Sequence, residues 1–224
     1  MTTIEILKTL VTFPTISANS NMKLVDYCSD LLKKIGAEVK IIKNDNNTKA
    51  NLYATVGPRN IPGVMLSGHT DVVPVEGQSW SVPAFEMTNK DNKLYGRGTA
   101  DMKGFIACAL HAAIKASEMK LKTPLHLAFS YDEEIGCVGV RSMITKLKQA
   151  PFVPIFCIVG EPTLMQIATG HKGKVNVSVK LKGKEAHSAL SATGLNAIYL
   201  AVEMINKIRS IENEIKEKFS HDDE

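Results

Sequence analysis

The first 36 residues carry apolar positions at helical spacing. "TTIEILKTLVTF" forms one such stripe and stops at Pro14, and "SNMKLVDYCSDLLKKIGAE" forms a second, opened by Ser20/Asn21 and closed by Gly36. The period then shortens. "EVKIIK" and "NLYATVG" read as strands joined by the turn-rich "NDNNTK", and "GVMLSGH" as a short strand of the apolar kind buried on both faces. "FEMTNKDNKLYGRG" predicts a hairpin around Lys90–Lys93. A helix over "MKGFIACALHAAIKAS" leads to a strand over "PLHLAFSY", and a helix over "GVRSMITKLKQ" leads to a strand over "FVPIFCIVG". Helices alternating with apolar strands predict an α/β domain with a mostly parallel sheet and helices on both faces. After about residue 170 the texture changes: "KVNVSVKLKG" alternates polar and apolar, and "GLNAIYLAVEMINKIRSIENEIKEKF" reads as one long helix. The division expected is a first domain over 1–172 and the start of a second, α+β in character, over 173–224.

Acidic and histidine residues collect where the predicted strands end. His69 and Asp71 follow "VMLSG", Glu133 and Glu134 follow "LAFSYD", and Glu161 follows "FCIVG"; Asp101 follows the glycine-rich "YGRGTA". In an open α/β sheet, ligands bind beyond the carboxyl ends of the strands. A single His or Glu after a strand is ordinarily a loop residue or a helix cap. Several of them delivered to one rim ask for a common cause. Carboxylates converging in a cleft repel and raise one another's pKa, and a bound divalent cation removes that penalty. One imidazole with several carboxylates suits Zn2+, Mn2+ or Co2+ better than an all-oxygen Ca2+ site. Asp71 lies two residues after His69, so its carboxylate can take the second imidazole N–H and fix the tautomer.

Composition narrows the field without adding chemistry. The chain has 224 residues, 44% hydrophobic and 22% charged, with a net charge of +4. The Lys residues are scattered and no basic block alternates with aromatics, so nucleic-acid binding is unsupported. No apolar run is long enough to cross a bilayer, and "MTTIEILKTL" does not read as a signal peptide. Cys28, Cys108, Cys137 and Cys157 form no C-x-x-C pair; Cys108 and Cys157 sit in apolar runs and are expected to be buried thiols. A reduced, cytoplasmic setting fits.

The motifs "LSGHTDVVP", "LYGRGTADMKGF", "SYDEEIG", "VGEPT" and "GKEAHSA" occur in the order and approximate spacing of a known family. The chain resembles the co-catalytic dizinc amidohydrolases over nearly its whole length, and "GRGTADMKGF", "SYDEEIGCVGVRSM" and "GHKG" are most like the members that cleave acetylornithine. The resemblance implies a zinc exopeptidase-like catalytic domain followed by a lid/dimerisation domain. It implies two divalent ions, Zn2+ foremost with Co2+ or Mn2+ as alternatives. His69 and Glu161 would hold one ion, Asp101 would bridge, and Glu134 would belong to the other. Glu133 would be the general base, Asp71 would orient His69, and His187 in the lid would assist the oxyanion. A cis peptide is expected after Asp101. The implied reaction removes acetyl from N-acetyl-L-ornithine in arginine biosynthesis, in a homodimer joined through the lid. Another N-acyl amino acid such as N-succinyl-diaminopimelate is the alternative substrate. His111 and His126 read as structural, and His171 and His221 carry no signal. The family pattern continues past "SHDDE" to a second metal-binding His, so this chain is expected to be an N-terminal portion of a longer enzyme. The other expectation is an inactive shortened remnant with at most one well-held ion.

Overall fold

The computed structural model describes residues 1–59, 61–150, 153–171, 173 and 175–218. Two compact units divide the chain, Met1–Ala168 and Thr169–Glu224.

In the first unit, α1 (Thr3–Val11) opens with a capping box: the Thr2 hydroxyl accepts from the Glu5 amide, and the Glu5 carboxylate accepts from the Thr2 amide. Its buried residues Ile6, Leu7, Leu10 and Val11 share one face. Helix α2 (Met22–Lys34) starts after Asn21, but the Asn21 side chain does not cap it. The side chain instead bonds both backbone groups of Ala50 and the Thr70 hydroxyl, tying α2 to the sheet. Gly36 follows the helix at φ +77°, the left-handed geometry in which a glycine costs least.

Five strands form the main sheet: β1 (Glu38–Lys43), β2 (Ala50–Val56), β3 (Val64–His69), β6 (Leu125–Ser130) and β7 (Phe156–Val159), in the order β1-β2-β6-β3-β7. Strands β4 (Thr88–Lys90) and β5 (Lys93–Tyr95) make the separate expected hairpin. β3 lies parallel to both β6 and β7, the pairs joined by the long helical connections. β1–β2 and β2–β6 are antiparallel, which makes the sheet mixed rather than mostly parallel. The cause for β1–β2 is its short turn, which can only fold a strand back on its neighbour.

Helices cover both faces. Helices α1, α2 and α3 (Lys103–Ser117) pack with Leu52, Ala54, Leu127 and Phe129 in the larger core. Helix α4 (Val140–Leu147) brings Met143 against Met65 and Ala128 on the other face, flanked by Ile42 and Tyr53. Leu127, Ala128 and Phe129 thus alternate between the two cores with the strand period. Cys108 and Cys157, expected to be buried, are exposed. Cys108 lies on the outer stripe of α3, and Cys157 on the edge strand β7, whose four residues are all exposed. Cys28 in α2 is the buried thiol.

The second unit contains a 3-10 turn (Ser188–Thr193) and α5 (Ala197–Lys218), with a bridge pairing Lys184 and Leu195. The alternation in "KVNVSVKLKG" does not become a strand among the described residues. Val175, Val177 and Val179 stay exposed: a strand is held by the hydrogen bonds of a partner, and period-two patterning supplies a face without supplying that partner. His221 lies outside the described residues. No helix among the described residues is long and apolar enough to cross a membrane.

Candidate metal centre

β3 ends at His69 and runs into the buried turn Thr70–Asp71. The His69 ring is almost wholly buried, and each of its nitrogens meets an acceptor. Nδ1 lies 2.9 Å from the Asp71 backbone carbonyl, and Nε2 lies 2.9 Å from Asp101 Oδ1. The Asp71 carboxylate is farther, with Oδ1 at 3.6 Å from Nδ1. The sequence suggested that this carboxylate would take the imidazole N–H, but the backbone oxygen of the same residue is the nearer acceptor. The carboxylate is engaged elsewhere: Oδ2 accepts from Ser17 Oγ at 2.7 Å and from the Glu134 amide at 3.3 Å, and Oδ1 accepts from the Glu133 amide at 3.1 Å. With the Nδ1 proton directed at a carbonyl, Nε2 is the nitrogen a cation would take, displacing the proton it shares with Asp101.

Charge in this pocket follows from its partners. Burial works against the charged imidazole, yet hydrogen bonding to Asp71 and the charges of Asp71 and Asp101 outweigh it and raise His69 to about 9. Burial also opposes ionisation of Asp71, but the His69, Ser17 and Glu133 contacts prevail and lower its pKa. Glu134 is raised by burial and then by Asp101. Glu161 is raised by burial, with Asp101 and Glu133 adding to it against the pull of His69.

Three ligand atoms gather, one each from His69, Asp101 and Glu161, all within 4.8 Å of one another. Glu161 Oε1 is 3.9 Å and Glu133 Oε2 is 3.8 Å from His69 Nε2. Glu134 supplies no atom to that group, although the Asp101 charge acts on it. An imidazole nitrogen and two carboxylates converging on one point, with the ring's other nitrogen held by a carbonyl, fit a divalent cation.

Each ligand arrives by a different route. Asp101 precedes α3, and the Asp101–Met102 peptide is cis, as the resemblance implied. Met102 is buried, its sulfur accepting from the His69 amide at 3.3 Å and its methyl lying where a side chain on Gly68 would stand. Lys103, also buried, donates to the Phe13 carbonyl at 2.6 Å; burial lowers its pKa to about 7. Glu161 follows Gly160, whose position faces the Phe105 ring so closely that a Cβ there would lie 1.9 Å from it.

His187 belongs to the second unit. It precedes the 3-10 turn, and its Nδ1 accepts from the Ala189 amide at 3.2 Å. His126 is buried with Nδ1 close to the Tyr53 and Thr55 hydroxyls, and His111 meets the Thr3 hydroxyl at 2.8 Å, both in structural settings. Sequence reasoning passed over Ser17 and Met102. Neither a lone serine in a turn nor a methionine after an aspartate announces itself, because their contacts close only in three dimensions.

The sequence pattern of peptidase family M20/M25/M40 matches residues 65–222. The acetylornithine deacetylase of Buchnera aphidicola subsp. Schizaphis graminum (strain Sg) is 34% identical over 226 residues, which covers 98% of this chain; the chain spans 58% of that relative's length. Human carnosine dipeptidase 1 is similar in structure, with a TM-score of 0.61 at 24% identity over 70% of this chain and 38% of its own. A tripeptidase from Staphylococcus aureus subsp. aureus mu50 has a TM-score of 0.59 at 18% identity, over 91% of this chain and 55% of its own. At such identities the solved structures speak to the fold alone, and they agree with an exopeptidase-like α/β sheet flanked by helices.

Proposed function

The chain belongs to peptidase family M20/M25/M40, and from that premise we propose that it is a metal-dependent amide hydrolase acting on an N-acyl amino acid. N-acetyl-L-ornithine is the substrate we favour, cleaved to L-ornithine and acetate in arginine biosynthesis. The relative from Buchnera supports that choice over N-succinyl-diaminopimelate. The observation that carries the reading is the meeting of His69, Asp101 and Glu161 ligand atoms within 4.8 Å, with the Glu133 carboxylate beside them.

His69, Asp101 and Glu161 would hold one Zn2+; Asp101 would bridge to a second, to which Glu134 would contribute. Such ions, when bound, acidify a water and polarise the scissile carbonyl. Glu133 accepts the proton of the attacking water and returns it to the departing amine, a positioned transfer worth about 10²–10⁴-fold. Asp71 holds the Glu133 and Glu134 amides through its carboxylate and the His69 ring through its carbonyl. Four free thiols support a cytoplasmic setting, and the exposed Ile198, Val202, Ile205 and Ile208 of α5 support a homodimer through the second unit.

A second reading, cation binding without turnover, is favoured by one observation: the only clustered ligand group among the described residues contains one histidine. The test is to strip the purified chain with EDTA, titrate it with Zn2+, count bound ions by mass spectrometry, and assay N-acetyl-L-ornithine and N-succinyl-L,L-diaminopimelate in parallel. Expected is zinc-dependent release of amine, faster from the acetyl substrate, with zinc affinity lost in Asp101→Asn. Hydrolysis that persists in EDTA overturns the metal role. One tightly held ion with neither substrate cleaved establishes the second reading instead.

A further inference from the structure

The turn that presents Glu133 and Glu134 is held by a closed ring of contacts in which one lysine is central. Lys49, at the start of β2's approach, sends Nζ to Asp132 Oδ1 at 2.6 Å and to the Ser17 carbonyl at 2.5 Å. Both side chains are shielded, Lys49 at 15% and Asp132 at 12% exposure, so this pair is little screened by water. Lys49 Nζ also lies 6.0 Å from the centroid of the Tyr131 ring. From Ser17 the ring continues: its hydroxyl donates to Asp71, and Asp71 accepts from the amides of Glu133 and Glu134. These two residues adjoin Asp132, which closes the circuit.

Asp132 is where the strand becomes the turn. Its φ is +56°, a left-handed geometry that an aspartate enters at some cost, and its carbonyl accepts from the Val138 amide at 3.0 Å. That kink ends the strand alternation and lets Glu133 Oε2 come within 3.8 Å of His69 Nε2. Two anchors therefore hold the pair of glutamates. Asp71 grips their amides from one side, and Lys49 grips the preceding kink from the other.

We propose that Lys49 is a positioning residue for Glu133: by pinning Asp132 to the Ser17 carbonyl, it fixes the carboxylate that takes the proton from water. The assignment rests on the reading of Glu133 as the general base, and it extends that reading to a residue just before β2, far from Glu133 in sequence. A charged hydrogen bond between shielded groups makes the arrangement well defined. Arginine can keep it, because its fork can reach a carboxylate and a carbonyl together, whereas methionine keeps the stem and loses both bonds.

The test compares Lys49→Met, Lys49→Arg and Asp132→Asn with the wild-type chain by amide hydrogen exchange and, on N-acetyl-L-ornithine, by kcat and KM. In Lys49→Met the amides of Glu133 and Glu134 are expected to exchange about 10- to 100-fold faster, the factor that corresponds to losing a hydrogen bond to a charged group. Amides of Leu127–Phe129 in the core strand are expected to keep the wild-type rate. Turnover is expected to fall by up to about 10²-fold with KM nearly unchanged, as for a displaced reacting group. Lys49→Arg restores both readouts, and Asp132→Asn falls between. Unchanged exchange at Glu133 and Glu134, or acceleration shared equally with the core strand, overturns the proposal. Exchange decides it whether or not the wild-type chain turns substrate over, so loss of the enzymatic reading is distinguished from loss of this one. If Lys49→Met does not fold, the same comparison is made between Asp132→Asn and Lys49→Arg.

Discussion

Replacing Asp71 by alanine removes a carboxylate that is 2% exposed and accepts from Ser17 Oγ, the Glu133 amide and the Glu134 amide. A hydrogen bond to a charged group contributes about 1.5–3 kcal/mol, so three of them sum to about 5–9 kcal/mol before offsets. Two offsets apply. The desolvation cost of the buried anion disappears with the anion, and the space left by the side chain admits water to the part-buried amides. Breaking a buried charged pair from one side typically costs about 3–5 kcal/mol, and Asp71→Ala is expected in that range. Asp71→Asn keeps one acceptor oxygen and turns an amide toward the donors, for an expected loss of about 1–3 kcal/mol. Zinc affinity should respond more mildly. The His69 ring is held by the backbone carbonyl of residue 71, which survives both substitutions. The loss should therefore sit near the lower end of the roughly 10- to 100-fold seen when an outer partner of a metal ligand is removed. Urea unfolding in EDTA reads the first quantity, and competition with a chromophoric chelator reads the second. A stability change under about 0.5 kcal/mol, the size typical of an ordinary surface substitution, would refute the clamp. A zinc loss far beyond 100-fold would show that the carboxylate, not the carbonyl, holds the ring.

Three further outcomes follow from the same geometry. Glu133→Gln should bind zinc as wild type does and lose about 10²–10⁴-fold in turnover; wild-type rates in stopped assays would remove Glu133 from proton transfer. Gly160→Ala places a Cβ 1.9 Å from the Phe105 ring and should cost about 1–3 kcal/mol or more in thermal unfolding, with Phe105→Ala relieving part of it. A Gly160→Ala chain as stable as wild type would mean the ring moves freely. Cys28 is fully buried and burial pushes its thiol from 9.0 to about 12. Above pH ~9 the unfolded chain sheds this proton while the folded chain keeps it, so the folded state binds more protons and stability falls as pH rises toward ~12. The stability gap between wild type and Cys28→Ala should narrow by about 1.4 kcal/mol per pH unit above ~9 in urea titrations, and parallel curves would contradict the burial.

The sequence made the α/β alternation legible because strands and helices here keep clean periods, as Leu127, Ala128 and Phe129 show by facing alternate cores. Period says which face is apolar, not what lies against it. That is why Val175, Val177 and Val179 look like a strand and are not one, and why Cys108 and Cys157 looked buried in apolar runs and are exposed. The rim itself was readable, since His69, Asp101 and Glu161 each follow a recognisable strand end or glycine-rich stretch. What could not be read was the acceptor that His69 meets. Choosing between the carbonyl and the carboxylate of one residue requires the turn geometry at Thr70–Asp71. Lys49 was equally hidden, being one of 27 Lys and Arg residues whose contact with Asp132 spans 83 positions.

Adjacent glutamates at one site pose a geometric problem, because a strand sends neighbours to opposite faces. The chain resolves it by ending β6 at Ser130 and turning left-handed at Asp132, so that strand alternation has ceased before Glu133. The same turn aims both amides at the Asp71 carboxylate, placing a fixed anion under the backbone while the glutamate side chains extend toward His69 and Asp101. Electrostatically this is an uphill arrangement. Asp101, Glu133, Glu134 and Glu161 surround a single imidazole, and burial first, then repulsion from Asp101 and Glu133, raises the pKa of Glu134 and Glu161. A cation seated between His69, Asp101 and Glu161 turns those mutual repulsions into attractions to a shared centre. Glu133, 3.8 Å from the ring nitrogen and outside that ligand group, keeps a carboxylate uncommitted to the ion. On the proposed reading, the division of labour between ligand and base follows from a backbone kink, and whatever holds the kink holds the chemistry.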